Sequence, residues 1–215
     1  MKSSTALASV LSAFLLGGCM SGPPARPAAS SSNVYSAKTH LPAGLRRVAV
    51  LPLTCDDSPE VETGRDTLQS VLVAELIKTS AFEVTPVSRE QLRAATGRSE
   101  WTADEVLPSD FCSHVRAITG CDAVLFCRLR QFRAYPPLIV GWDLKLVDAS
   151  QCSVLWAVDE VFDSGKPAVA SAAQGYYARA IGRGTLAGDP EMIMMSPRLF
   201  GQYAAASSLE ALPAR

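Results

Sequence analysis

The chain has 215 residues, with 20 basic and 21 acidic side chains, a formal charge of −1 and 48% hydrophobic residues. This composition supports one folded domain with tails. It supplies no global basic field for holding nucleic acid.

The first predicted element is a leader. Met1 and Lys2 are followed by the uncharged stretch "SSTALASVLSAFLLGGC", and Arg26 is the next charged residue. The strongly apolar part, roughly Leu7 to Leu16, is shorter than the ~20 residues that span a bilayer. A basic start, a short apolar run and a small-residue exit describe an export signal. Its ending, Leu16-Gly17-Gly18-Cys19, resembles the bacterial lipobox. The resemblance implies that residues 1–18 are a lipoprotein signal peptide. Cys19 would be the first mature residue, carrying a covalent diacylglycerol (palmitate is a typical acyl group) and an N-acyl chain. Several acyl chains, at about 0.8 kcal/mol per buried CH₂, suffice for stable anchoring. No other cofactor and no metal is expected. Met20 follows, rather than the aspartate associated with inner-membrane retention, so the expected location is the periplasmic face of the outer membrane.

Residues 19–45 read as the lipidated cysteine and a Pro/Ala/Ser-rich tether without periodicity. Export places Cys55, Cys112, Cys121, Cys127 and Cys152 where disulfides persist. The number is odd, so at least one stays single or pairs between chains.

Residues 46–212 are expected to form a single α/β domain. "RRVAVLPL" (46–53) is β-rich, as in a strand buried on both faces. After the loop "TCDDSPEVETG", Leu68, Val71, Leu72 and Leu76 recur at helical spacing up to Thr79. "AFEVTPV" (81–87) is a second strand, and Ser88 with Gln91 has capping-box spacing for a short helix. Ser109 is placed to cap a helix whose Phe111, Val115 and Ile118 share a face before Gly120. Strands over 122–132, 137–148 and 152–162 follow, with connections short enough for antiparallel hairpins. Val140, Trp142, Leu144 and Leu146 alternate with Asp143 and Lys145, giving one packed and one wet face. Helices near 167–182 and 196–211 complete a two-layer α/β sandwich: a mixed sheet of about five strands packed against helices.

"RVAVLPL", "AFEVTPVSREQL", "ITGCDAVLFCRLRQF" and "LKLVDASQCSVLWAVDEVF" together resemble, in order and spacing, a group of envelope proteins. The group includes the curli secretion lipoprotein CsgG, the penicillin-binding-protein activator LpoB, flagellar accessory lipoproteins and the N-terminal domain of TolB. The resemblance covers about residues 46–163. It implies an anticodon-binding-domain-like α/β fold and an envelope location, without implying one activity. The short connections leave no room for the pore hairpins of CsgG.

No HExxH, GxSxG or Walker pattern occurs, and "GRGTLAG" (182–188) has the wrong glycine spacing for a dinucleotide loop. Cys112, His114, Cys121 and Cys127 carry ligand chemistry, but their spacing matches no zinc knuckle. A cysteine nucleophile needs a base nearby, and His114, close to Cys112, is the only histidine within 46–212. If strands 46–53 and 122–132 are parallel, Cys55 and Cys112 fall at one sheet edge and are a possible disulfide; Cys121 and Cys152 are an alternative at the other edge. Cys127 reads as a core thiol.

Arg128 and Arg130 share a strand face, with Arg133 just beyond, as either a solvated surface or a docking surface for an acidic partner or anionic polymer. Tyr176, Tyr177, Phe200 and Tyr203 read as helix-packing aromatics. The leading expectation is a non-enzymatic protein-binding module of envelope assembly, attached to the membrane by lipid and contacting an envelope protein. The alternative is a subunit of a homo-oligomeric secretion apparatus, and a small cell-wall hydrolase ranks below both.

Overall fold

The computed structural model describes residues 33–180 and 189–215; the leader, Cys19, the chain up to residue 32 and the 182–188 stretch lie outside the described residues. The strands are β1 (Val34–Ser36), β2 (Arg47–Val50), β3 (Thr54–Cys55), β4 (Glu83–Pro86), β5 (Ala123–Arg133), β6 (Ile139–Asp148) and β7 (Val154–Asp163). The helices are α1 (Pro59–Thr79), α2 (Arg89–Thr96), α3 (Phe111–Thr119), α4 (Pro167–Ala180) and α5 (Pro197–Leu209), with a 3₁₀ turn at Pro190–Met194.

This is the mixed α/β fold expected, an open seven-stranded sheet packed against helices in the order β1-β7-β6-β5-β2-β4, with β3 beside β5. β2 lies parallel between β4 and β5, while β5, β6, β7 and β1 run antiparallel in turn. The five long predicted strands all form; β1 and β3 are the additions.

Strand alternation builds the first face. Val140, Trp142, Leu144 and Leu146 are at most 1% exposed and join Leu125, Cys127, Leu129, Trp156 and Val158 beneath α1, α4 and α5. Phe162, Tyr176 and Phe200 surround the Tyr203 ring at centroid distances of 5.6, 6.0 and 5.8 Å, the packing role expected of Tyr176, Phe200 and Tyr203. The second face is covered at one end only. There α2, α3 and Trp101 bury Ala49, Leu51, Val124, Phe126 and Val147, a partial layer beyond the two-layer arrangement expected.

The tether ends earlier than the sequence suggested. Val34–Ser36 pair with Val158–Trp156 of β7, the Leu41 amide donates to the Ala214 carbonyl at 2.8 Å, and Leu41 and Leu45 are buried. Three exposed strand residues carry no alternation, so backbone bonding alone holds this segment and composition does not reveal it. α1 also starts earlier than expected, at Pro59, because proline at the first position and Glu60 and Glu62 in the first turn suit a helix N-terminus.

The Ser88–Gln91 capping box forms as expected: the Gln91 amide donates to Ser88 Oγ at 3.2 Å and the Ser88 amide donates to Gln91 Oε1 at 2.9 Å. Ser109 does not cap α3, since Asp110 occupies that position. Phe111 and Val115 face the core while Ile118 is exposed. Gly120 ends α3 at φ 65°. Two residues on, the Asp122 carboxylate accepts the Arg46 and Arg47 amides at 2.8 and 3.0 Å, and the Asp122 amide donates to the Arg47 carbonyl at 2.8 Å. The "GCDA" segment thereby docks β2 onto the start of β5.

Candidate functional site

Beyond the edge of α2 and α3, the second face of the sheet is open. Alternation that sends Trp142 and Leu144 into the core sends Asp143 and Lys145 outward, and Arg128 is the outward neighbour of Cys127 and Leu129. A register shift between Leu129 and Gln131 returns Phe132 to the first-face core. These strands, with β7, β1 and the loop between α2 and α3, enclose an open cleft of about 480 Å³. Its charged lining comes from Arg130, Asp143, Lys145, Asp159 and Asp104, and Asn33 and Tyr35 form the β1 rim.

The charges in and beside the cleft are interlocked. Arg128 bridges Asp56 at 2.5 Å and Asp104 at 3.3 Å, Lys145 also pairs with Asp104, and Arg130 pairs with Asp159 at 2.7 Å. The Lys145 hydrogen bond, reinforced by the Arg128 and Arg130 charges, holds the Asp104 carboxyl below its ordinary range. Asp143 is shifted the other way. Burial raises its pKa, the Asp104 and Asp159 charges add to the rise, and Lys145 and Arg130 oppose it. The cleft therefore presents both signs at fixed positions on a rigid sheet, an arrangement suited to registering a polar or extended chain.

Arg128 and Arg130 lie on one face, as expected, but each is already paired with carboxylates, so the surface is not the bare cationic patch the sequence suggested. Arg133 is apart from them; its Nε donates to the Pro137 carbonyl at the far end of the hairpin. The carboxylates of Asp56 and Asp104 come from irregular segments and Asp159 from β7, two strands away from Arg130, so their convergence depends on the tertiary fold. Asp143 and Lys145 were visible as the wet side of β6.

The structure does not bring together Cys55 and Cys112, the possible disulfide partners. Cys55 lies beside Leu129 and packs at the margin of the first-face core, whereas Cys112 is buried in the second-face core with Cys121, Val147 and Ala149, toward the start of β5. Cys55 Sγ accepts from Arg65 Nη1 at 3.9 Å, and all five described cysteines are free thiols. Cys127 lies on the first face and Cys121 on the second, while His114 faces Asp110 at 3.7 Å on an exposed flank. The four candidate metal ligands therefore do not converge, and His114 turns to Asp110 instead of activating Cys112. Burial holds the Cys127 thiol well above its ordinary range, in keeping with a core thiol. Cys19 lies outside the described residues.

No family model and no curated protein matches the chain. Among solved structures it is similar to the PelC dodecamer from Paraburkholderia phytofirmans, at 16% identity over 85% of this chain and 96% of that one, with a TM-score of 0.46. It is similar to lipoprotein GNA1162 from Neisseria meningitidis at 18% identity, over 63% of this chain and 98% of that one, with a TM-score of 0.41. The LpoB C-terminal domain from Escherichia coli matches at 14% identity over 54% of this chain and 81% of that one, with a TM-score of 0.33. LpoB, one of the proteins the sequence resembles, is thus among these structures. Likeness at this level identifies no activity.

Proposed function

We propose that this protein is a bacterial lipoprotein, anchored through Cys19 on the periplasmic face of the outer membrane, that acts as a non-enzymatic module binding a protein partner in envelope assembly. The observation that carries the reading is the open cleft of interlocked charges, framed by β5, β6, β7 and the edge strand β1. The test has two arms. The Cys19→Ala variant is expected to lose the acyl mass and leave the membrane fraction. Reversing Arg130 and Lys145 to Glu is expected to abolish co-purification of the partner while the lipidated protein remains folded and membrane-bound.

A second reading is a subunit of a homo-oligomeric secretion apparatus. The observation favouring it is that the sheet ends in two edge strands, β1 and β4, whose outward backbone groups are able to extend the sheet into another copy. Sedimentation of the detergent-extracted protein separates the two, since the module sediments as a monomer without its partner and the apparatus subunit as a discrete closed assembly.

A further inference from the structure

We infer that what the cleft recognises on its partner is a basic side chain, arginine or lysine, which pairs with Asp143. The inference rests on the reading of the cleft as a partner-binding surface and adds the chemistry that is read there.

Asp143 stands in a cross-strand row on the open face of the sheet. Arg128 on β5, Asp143 on β6 and Asp159 on β7 are successive neighbours in register, and the Asp159 amide donates to the Asn33 carbonyl at 3.0 Å. The cations around Asp143 are engaged elsewhere. Arg128 pairs with Asp56 and Asp104, Lys145 with Asp104, and Arg130 with Asp159. Asp143 is half-buried and lines the cleft, and it makes no hydrogen bond or ion pair among the described residues. Asp159, directly opposite it, carries the same sign, an arrangement that destabilises a sheet. Arg130 relieves Asp159, and Asp143 keeps its charge unmatched.

The balance of charge selects the occupant. Two cations and three carboxylates line the cleft, and including the adjoining Arg128–Asp56 pair leaves the same excess of one negative charge. One positive charge from the partner completes the pairing. An anion would have to break the Arg130–Asp159 or the Lys145–Asp104 pair. Among the described residues no three carboxylate, thiol or imidazole groups are arranged to hold a metal ion. The cleft, at about 480 Å³, admits a side chain with its flanking backbone. In the row next to Asp143, Ala157 lies between Lys145 and Tyr35 and bears only a methyl group. Tyr35, on the rim and 55% exposed, offers an apolar surface for the aliphatic stem of a basic side chain, whose charged end gains a charge-assisted hydrogen bond at Asp143. Arg130 and Lys145 hold the two flanking carboxylates in place, so reversing them to Glu dismantles the site even though it adds negative charge.

The test starts from Asp143→Asn, which keeps the shape of the side chain and removes a charge that opposes folding, so that lost binding is distinguishable from lost structure. Full-length parent and variant, in detergent, are each used to select from a random peptide library displayed on phage. Peptides selected by the parent are expected to be enriched in arginine or lysine. The strongest arginine peptide should bind about ten-fold more tightly than its counterpart carrying the neutral isostere citrulline. Asp143→Asn should abolish that difference, and Glu210→Gln, at the exposed end of α5 behind the sheet, should retain it. Selected peptides without arginine or lysine, equal binding of the citrulline counterpart, or a preference that survives Asp143→Asn would overturn the pairing. The reading beneath it is tested separately by a photoreactive residue at position 35 in the intact envelope. A partner adduct undiminished in Asp143→Asn overturns the pairing and leaves the partner reading standing. An arginine preference that depends on Asp143, without any adduct, upholds the pairing and counts against the partner reading.

Discussion

Arg128 on β5 and Asp143 on β6 stand directly opposite each other in the sheet, yet the Arg128 guanidinium pairs with Asp56 and Asp104. Asp104 thus receives both Arg128 and Lys145, and Asp143 is half-buried beside the charges of Asp104 and Asp159. The cleft's two central carboxyls are consequently shifted in opposite directions.

Asp143 opposes folding at neutral pH. Its folded pKa is raised, so its favourable contribution is fully present below the ordinary aspartate value of about 3.9 and is lost as pH rises through the folded value. Asp143→Asn should therefore be more stable than the parent at pH 7, by on the order of 0.5 kcal/mol after solvent screening. The advantage should disappear below about pH 4. Urea melts at both pH values check this.

Asp122 has the reverse dependence. The Arg46 amide, then the Arg47 amide, stabilises its charged form and depresses its pKa, so its contribution is present above about pH 3.9 and lost as pH falls through the folded value. Asp122→Ala leaves both amides without their acceptor and is expected to destabilise by about 1–3 kcal/mol at pH 7. The difference should shrink in acid. Denaturant midpoints of the two proteins across pH 2–7 provide the measurement.

Gly64 sits where α1 crosses β5. A Cβ there would overlap the Phe132 ring, coming 2.6 Å from its Cδ1. Alanine is the better helix former by about 1 kcal/mol, but the ring has to move within a packed core. Gly64→Ala is expected to be net destabilising by about 1–3 kcal/mol, read as a lower thermal midpoint. At Gly201 the overlapping atom is the flexible end of Leu68, so Gly201→Ala should lose less.

The capping box at the start of α2 predicts a modest local loss. Ser88→Ala removes the acceptor for the Gln91 amide and should reduce stability by about 1 kcal/mol. Amide exchange should accelerate in α2 and remain unchanged in β5 and β6.

What could be read in advance was what local pattern encodes. Val140, Trp142, Leu144 and Leu146 alternate with polar residues, so β6 and its buried face were legible, as were the Ser88 cap and the Gly120 stop. β1 was not, because Val34, Tyr35 and Ser36 are all exposed and held through the backbone. Of the cleft, Arg128, Arg130, Asp143 and Lys145 were visible as outward strand positions. Their partners were hidden: Asp56 and Asp104 lie in aperiodic loops, and only the folded sheet carries Asp159 to Arg130. The cysteines illustrate the same limit. The expected topology put Cys55 and Cys112 at one edge of the sheet, but Cys55 lies beside Leu129 while Cys112 is buried on the other face with Cys121, Val147 and Ala149.

The most direct test of partner binding through the cleft is photo-crosslinking in the intact envelope, with a photoreactive residue replacing Tyr35 on the cleft rim or Ile118 on the outer flank of α3. The account predicts one discrete adduct from position 35, heavier by a mass other than that of a second copy, none from position 118, and loss of the adduct when Arg130 and Lys145 are reversed to Glu. No adduct from position 35, or equal adducts from both positions that survive the reversal, would contradict it.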